Sequence, residues 1–254
     1  MADALTHSAT MVGRSVRLSS RNPDAVITAL ALPVLLMLVF VYLFGGAIDT
    51  GGGYGRYVDY VAPGVLVLCA GFGAGTTAMS VADDMKGAVI DRFRSLDVGG
   101  TAVLAGHVAA SVVRNLAATV LVFGVAFAIG FRPDAGAGGW LASAGILLAV
   151  ITAISWVAAA VGLLANSPEA AGGFTFFLAF LPYPSSAFVP VDSMPGWLHG
   201  FAEHQPLTPV IESLRGLLLG ESVGSSPWEA LAWCAALTAA SVAAAAALFR
   251  RRMT

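Results

Sequence analysis

Charge is the scarcest property of this sequence. Of 254 residues only 11 % are Asp, Glu, Lys or Arg, while 57 % belong to the apolar set and 29 more are Gly. A soluble domain carries about 25 % charged residues, and a chain of this length with so few could not solvate its surface. That composition excludes a soluble enzyme, a disordered chain and a nucleic-acid binder. It describes a membrane protein. The net charge of −2 offers no basic field for a polyanion. The two cysteines, Cys69 and Cys234, fall inside apolar runs and fit neither a disulfide framework nor a metal site.

Three further shortages remove whole classes of chemistry. The only lysine is Lys86, between Met85 and Gly87. The Gly-Lys-Ser/Thr loop that cradles nucleotide phosphates is therefore missing, so any ATP that drives this chain is bound by another. The four histidines, His7, His107, His199 and His204, do not cluster, and no metal set emerges. His107 and Ser111 stand one helical turn apart, without the Gly-x-Ser-x-Gly context of a hydrolase. All fifteen acidic residues lie in loops, termini or at the edges of apolar runs, which removes the buried carboxylates a proton-coupled carrier needs.

Long apolar runs, by contrast, are plentiful. A bilayer core takes about 20 apolar residues per helix, and six stretches are read as spans: 26–44, 60–82, 102–129, 140–165, 171–188 and 228–249. An all-α membrane protein with six transmembrane helices, organised as a single transmembrane domain over 1–254, is the predicted fold. Breakers such as Gly45-Gly46, Arg132-Pro133-Asp134 and Asn166-Ser167-Pro168-Glu169 separate the runs. With both termini cytoplasmic, nine of the 13 Lys and Arg residues fall inside, as basic loops prefer. Arg56, Arg132 and Arg215 fall outside, and Arg114 within the third run.

Three segments are amphipathic and too short to cross. In 1–23, Arg14, Arg17 and Arg21 oppose a face of Leu5, Ala9, Val12 and Val16, the pattern of an interfacial helix against anionic membrane lipids. In 83–96, Met85, Val89, Phe93 and Leu96 share one face, and Asp84, Lys86, Asp91, Arg92 and Arg94 the other. This cytoplasmic helix is either a solvated surface or a docking element for a cytosolic partner. Between 193 and 220, prolines punctuate two short apolar stretches, read as re-entrant outer helices that satisfy their own backbone. Glu212 and Arg215 stand one turn apart there and are spaced to pair. Arg114, followed by Asn115, is the one clear charge inside a run.

These stretches together resemble the permease subunits of type-2 ABC exporters, in particular their daunorubicin-resistance-type branch. The resemblance is carried by Arg21-Asn22-Pro23 with Pro33, and by Tyr60-Val61-Ala62-Pro63-Gly64 leading into Asp91-Arg92-Phe93-Arg94-Ser95-Leu96. Its most specific part is Phe188-Val189-Pro190, Met194-Pro195-Gly196-Trp197, Pro206-Leu207-Thr208 and Leu214-Arg215-Gly216. The resemblance implies a permease without a cofactor of its own, joined to two copies of a cytosolic ATPase that binds ATP and Mg. It also implies a second permease, identical or similar. Asp83, Asp84, Lys86, Asp91, Arg92, Phe93, Arg94 and Leu96 would couple to the ATPase, and Asn166, Ser167, Pro168 and Glu169 would form a second cytoplasmic contact. Arg114, Asn115, Phe174, Phe177, Phe180, Glu212 and Arg215 are the candidates for the pathway or its gate. The implied cargo is a hydrophobic drug, antibiotic or lipid-like molecule exported across the cell membrane. The alternative of another class is an ATP-independent carrier or scaffold that recruits a partner through 83–96.

Overall fold

The structure, a computed structural model, describes residues 23–48, 56–85 and 100–253. Among the described residues eight α-helices follow in order: α1 (Pro23–Val39), α2 (Tyr57–Asp84), α3 (Gly100–Ala128), α4 (Ala137–Leu164), α5 (Pro168–Phe180), α6 (Gly196–His204), α7 (Leu207–Leu219) and α8 (Ser226–Met253). The interfacial helix read over 1–23, apart from Pro23, and most of the cytoplasmic helix read over 83–96 lie outside the described residues.

The expectation of six transmembrane helices is overturned. Four described helices, α2, α3, α4 and α8, are long and apolar enough to cross a membrane. The opening run loses regular α-geometry at Phe40, where a π-helical turn carries it to Phe44, and its described apolar part spans only Ala31–Phe44. The fifth run is cut shorter still. Ser167 caps α5 by accepting the Ala170 N–H at 3.0 Å, Pro168 takes the first turn, and the helix ends at Phe180 before Pro182 and Pro184. Both starting devices are ordinary helix grammar, and 13 residues reach only about 20 Å at the α-helical rise.

The re-entrant reading of 193–220 falls as well. Its two helices exist, as α6 and α7, but the apolar residues of α7 need no lipid. Ile211, Leu214 and Leu218 are fully buried against protein, because α7 packs on α2, α4 and α8. Gly220, at φ 72°, ends α7 in the left-handed conformation that glycine adopts freely. Apolarity in this loop is core, read as membrane.

The core centres on α2, 72 % of whose most apolar stretch is buried, against 17 % for α8. Small residues make this possible. A Cβ on Gly64 would lie 2.7 Å from the Cβ of Ala187, and one on Gly73 would fall 1.9 Å from Asn115 Oδ1. Helices α3, α4, α5 and α7 therefore approach α2 closely on several sides. A second cluster, built from Val81, Leu104, Leu163, Ala245 and Phe249 among others, binds the Asp84 end of α2 to α3, α4 and α8.

Candidate functional site: polar ties at three levels

Polar side chains cost free energy among apolar helices unless they find partners. Several of the described ones find them, at three levels along α2. At one end, Arg215 of α7 is 3 % exposed. Its Nε donates to the Tyr60 carbonyl at 3.1 Å, its Nη2 donates to the Ser186 carbonyl, and its guanidinium lies 3.7 Å from the centroid of the Tyr60 ring. Tyr57 adds a bond from its hydroxyl to the Phe188 carbonyl at 2.7 Å. Arg215 thus clasps α2 and the 184–190 segment to α7 by charge-assisted hydrogen bonds and cation–π contact. A cavity of about 500 Å³ opens beside this clasp, lined by Glu212 among others. Crowding around the Glu212 carboxyl raises its pKa above the usual carboxylate range, although Arg215 and Ser186 pull it down.

Midway along α2 runs a hydroxyl network. Thr77 donates to Ser111 at 2.7 Å, and Ser155 of α4 donates to the same oxygen at 2.9 Å. Arg114 Nη2 donates to Thr77 at 2.8 Å, and Asn115 Nδ2 donates to the Ser111 carbonyl at 3.0 Å. Three helices meet there. Ser111 is engaged with Thr77, Ser155 and Asn115 instead of His107, so the described residues hold no Ser/His pair there.

At the other end, His107 Nε2 lies 2.9 Å from Asp84 Oδ2. The carboxylate accepts this bond, which ties the last residue of α2 to α3. Asp83 beside it is exposed. Asn166 and Glu169 are exposed on the turn that starts α5. Lys86, Asp91, Arg92, Phe93, Arg94 and Leu96, like Arg14, Arg17 and Arg21, lie outside the described residues.

The phenylalanines of α5 turn outward. Phe174, Phe176, Phe177 and Phe180 are 59, 54, 73 and 46 % exposed. From Phe180 an aromatic path continues through Tyr183, with centroids 5.2 Å apart, to Phe188 at 5.1 Å and on to Phe40 at 4.3 Å. Of the candidate residues the structure brings Arg114 and Asn115 into one network and Arg215 and Glu212 to one cavity. It keeps these groups apart. Thr77, Ser111, Ser155 and the Tyr183–Phe188–Phe40 path were missed as partners. Their signal, isolated hydroxyls and rings inside apolar runs, shows candidates without showing which meet.

The described residues contain no group of three or more His, Cys, Asp or Glu that could hold a metal ion. Residues 6–219 match the ABC-2 type transporter family. The chain is 30 % identical over 223 residues to the daunorubicin resistance ABC transporter permease protein DrrB1 of Streptomyces coeruleorubidus, covering 86 % of this chain and 77 % of that protein. It is 25 % identical over 238 residues to the probable doxorubicin resistance ABC transporter permease protein DrrC of Mycobacterium tuberculosis, covering 92 % and 85 %. Long apolar helices tied by buried polar groups, a chain without a phosphate-binding loop and these likenesses agree. This multi-pass membrane permease belongs to the ABC-2 type transporter family.

Proposed function

We propose that the chain is the membrane subunit of an ATP-driven exporter that moves a hydrophobic, drug-like substrate, with a separate cytosolic ATPase as its motor. The observation that carries this reading is the family match over 6–219 in a chain whose only lysine stands outside any phosphate-binding loop. The cytosolic ATPase binds at the Asp84 end, through 83–96 and the exposed 166–169 turn, and both termini lie on that side. The bond between Asp84 and His107 supports this assignment. It holds α2 and α3 together on either side of the 86–99 segment, so a push there reaches both helices at a fixed separation. A second permease, identical or similar, completes the pathway, and the exposed Phe174, Phe177 and Phe180 offer it or the substrate an apolar surface.

The test uses inside-out vesicles from the native membrane, with daunorubicin and doxorubicin, the drugs named by the relatives, as probes. Accumulation that requires hydrolysable ATP and disappears when the chain is deleted is the expected result. Accumulation indifferent to hydrolysis, yet dependent on the chain, would overturn the exporter reading in favour of an ATP-independent carrier.

A further inference from the structure

Helix α5 and the segment that follows it meet α2 in a ladder of close contacts. A Cβ on Gly172 would lie 3.1 Å from Met79 Sδ, and one on Gly75 would lie 3.4 Å from Thr175 Oγ1. One on Gly71 would lie 3.0 Å from the Ala179 Cα, and Ala187 fills the notch left at Gly64. Going back along α2 from Met79, steps of 4, 4 and 7 residues meet steps of 3, 4 and 8 forward from Gly172. The two segments therefore keep one antiparallel register. It continues past Pro182 and Pro184, although regular helix ends at Phe180. Thr175 returns its hydroxyl to the Ala171 carbonyl of its own helix at 3.0 Å, so that rung is a van der Waals contact without a partner to exchange. Small residues packed this closely transmit a displacement instead of absorbing it.

Polar bonds fasten the far end of the same ladder. Arg215 donates to the Tyr60 carbonyl on α2 and to the Ser186 carbonyl on the continuation of α5, and Tyr57 of α2 donates to the Phe188 carbonyl. At the near end Ser167 caps α5, within the turn that exposes Asn166 and Glu169. We propose that α2 and α5 move as one rigid strut, which carries a displacement of the 166–169 turn to the Arg215 clasp without sliding between the two helices. Gly71 and Gly75 are then positioning residues for export, since they set the register of the strut. The source of the displacement rests on the exporter reading; the stiffness of the strut does not.

The experiment is disulfide mapping of the full chain in membrane vesicles, with Cys69 and Cys234 changed to Ala. Four substitutions are used, Gly75→Cys, Met79→Cys, Gly172→Cys and Thr175→Cys. They combine into two matched pairs, 75 with 175 and 79 with 172, and two pairs staggered by one turn, 75 with 172 and 79 with 175. A turn is about 5 Å, enough to take staggered thiols out of disulfide reach. Oxidation should close the matched pairs about tenfold or more faster than the staggered ones. Staggered pairs that close as fast as matched ones would reveal sliding and overturn the proposal. This readout needs neither ATPase nor transport, so its failure is distinct from failure of the exporter reading. ATP-dependent daunorubicin uptake is then measured on the chain cross-linked between 75 and 175, with mass spectrometry confirming that the cross-link is complete. Uptake should stay within about twofold of its value after reduction, as a pair that moves as one body allows. Uptake abolished by the cross-link and restored by reduction would also overturn the strut.

Discussion

Arg215 and Arg114 are both guanidinium groups set among apolar helices, and the structure uses them differently. Arg215 is sealed, and its hydrogen bonds end on backbone carbonyls 29 and 155 residues away. Arg114 is half-buried, and its bond to Thr77 ends on a hydroxyl that also serves Ser111. Backbone carbonyls are fixed once their helices pack, whereas hydroxyls rotate and exchange partners. The first arrangement closes the fold. The second rests on side-chain groups that can exchange partners, and the proposed transport reading predicts that they do.

The comparison breaks most readily at Arg215. Arg215→Ala should cost about 3 kcal/mol or more, because two buried carbonyls lose a charged donor together, and export should fall with stability. Unfolding in graded detergent measures it, and Arg215→Lys should restore only part, since a point charge cannot replace the fork. A variant with wild-type stability would remove the architectural reading.

Gly73→Ala comes next, at about 2 kcal/mol, the overpacking cost of a methyl driven into Asn115. Asn115→Ala in the same chain should return most of that loss, and failure of the rescue would separate Gly73 from the network. Thr77→Val removes a hydroxyl that links Arg114 to Ser111 and should cost about 1 kcal/mol. Transport should change more than stability does, and equal losses in both would assign Arg114 and Thr77 to the same structural class as Arg215.

The smallest effect concerns pH at Glu212. Its folded pKa is raised, first by desolvation, so the carboxyl weakens the fold once ionised. Its contribution is intact below the ordinary carboxylate range and fades as pH rises through the raised value. Solvent screens this exposed group, so Glu212→Gln should lift the neutral-pH melting temperature slightly and leave the acid one unchanged. A scan of melting temperature against pH for both chains checks the sign.

Much of the membrane character was legible because composition and run length report the surrounding medium directly. The long helices α2, α3, α4 and α8 follow the runs that length alone selects. The sequence reading failed where an apolar stretch had two explanations. Leu214 and Leu218 look equally suited to lipid and to a protein core, and only the approach of α2 and α8 decides between them. The run 171–188 reads as one span, yet α5 stops at Phe180 because Pro182 and Pro184 break the helix. Arg215 was singled out as a pathway candidate beside Glu212. Its partners on Tyr60 and Ser186 were illegible, since backbone carbonyls carry no residue-specific signal. Thr77, Ser111 and Ser155 are common residues in apolar helices, and no spacing within one helix shows which hydroxyl faces which across three.

The most direct test of a permease driven by another chain's ATP is purification from native membranes in mild detergent, with mass spectrometry of every chain that accompanies it. The account expects a stoichiometric chain carrying the Gly-Lys-Ser/Thr phosphate loop that this one lacks, lost on charge reversal at Arg92 and Arg94 while the permease stays folded. A folded permease recovered without such a chain in several gentle detergents would contradict it.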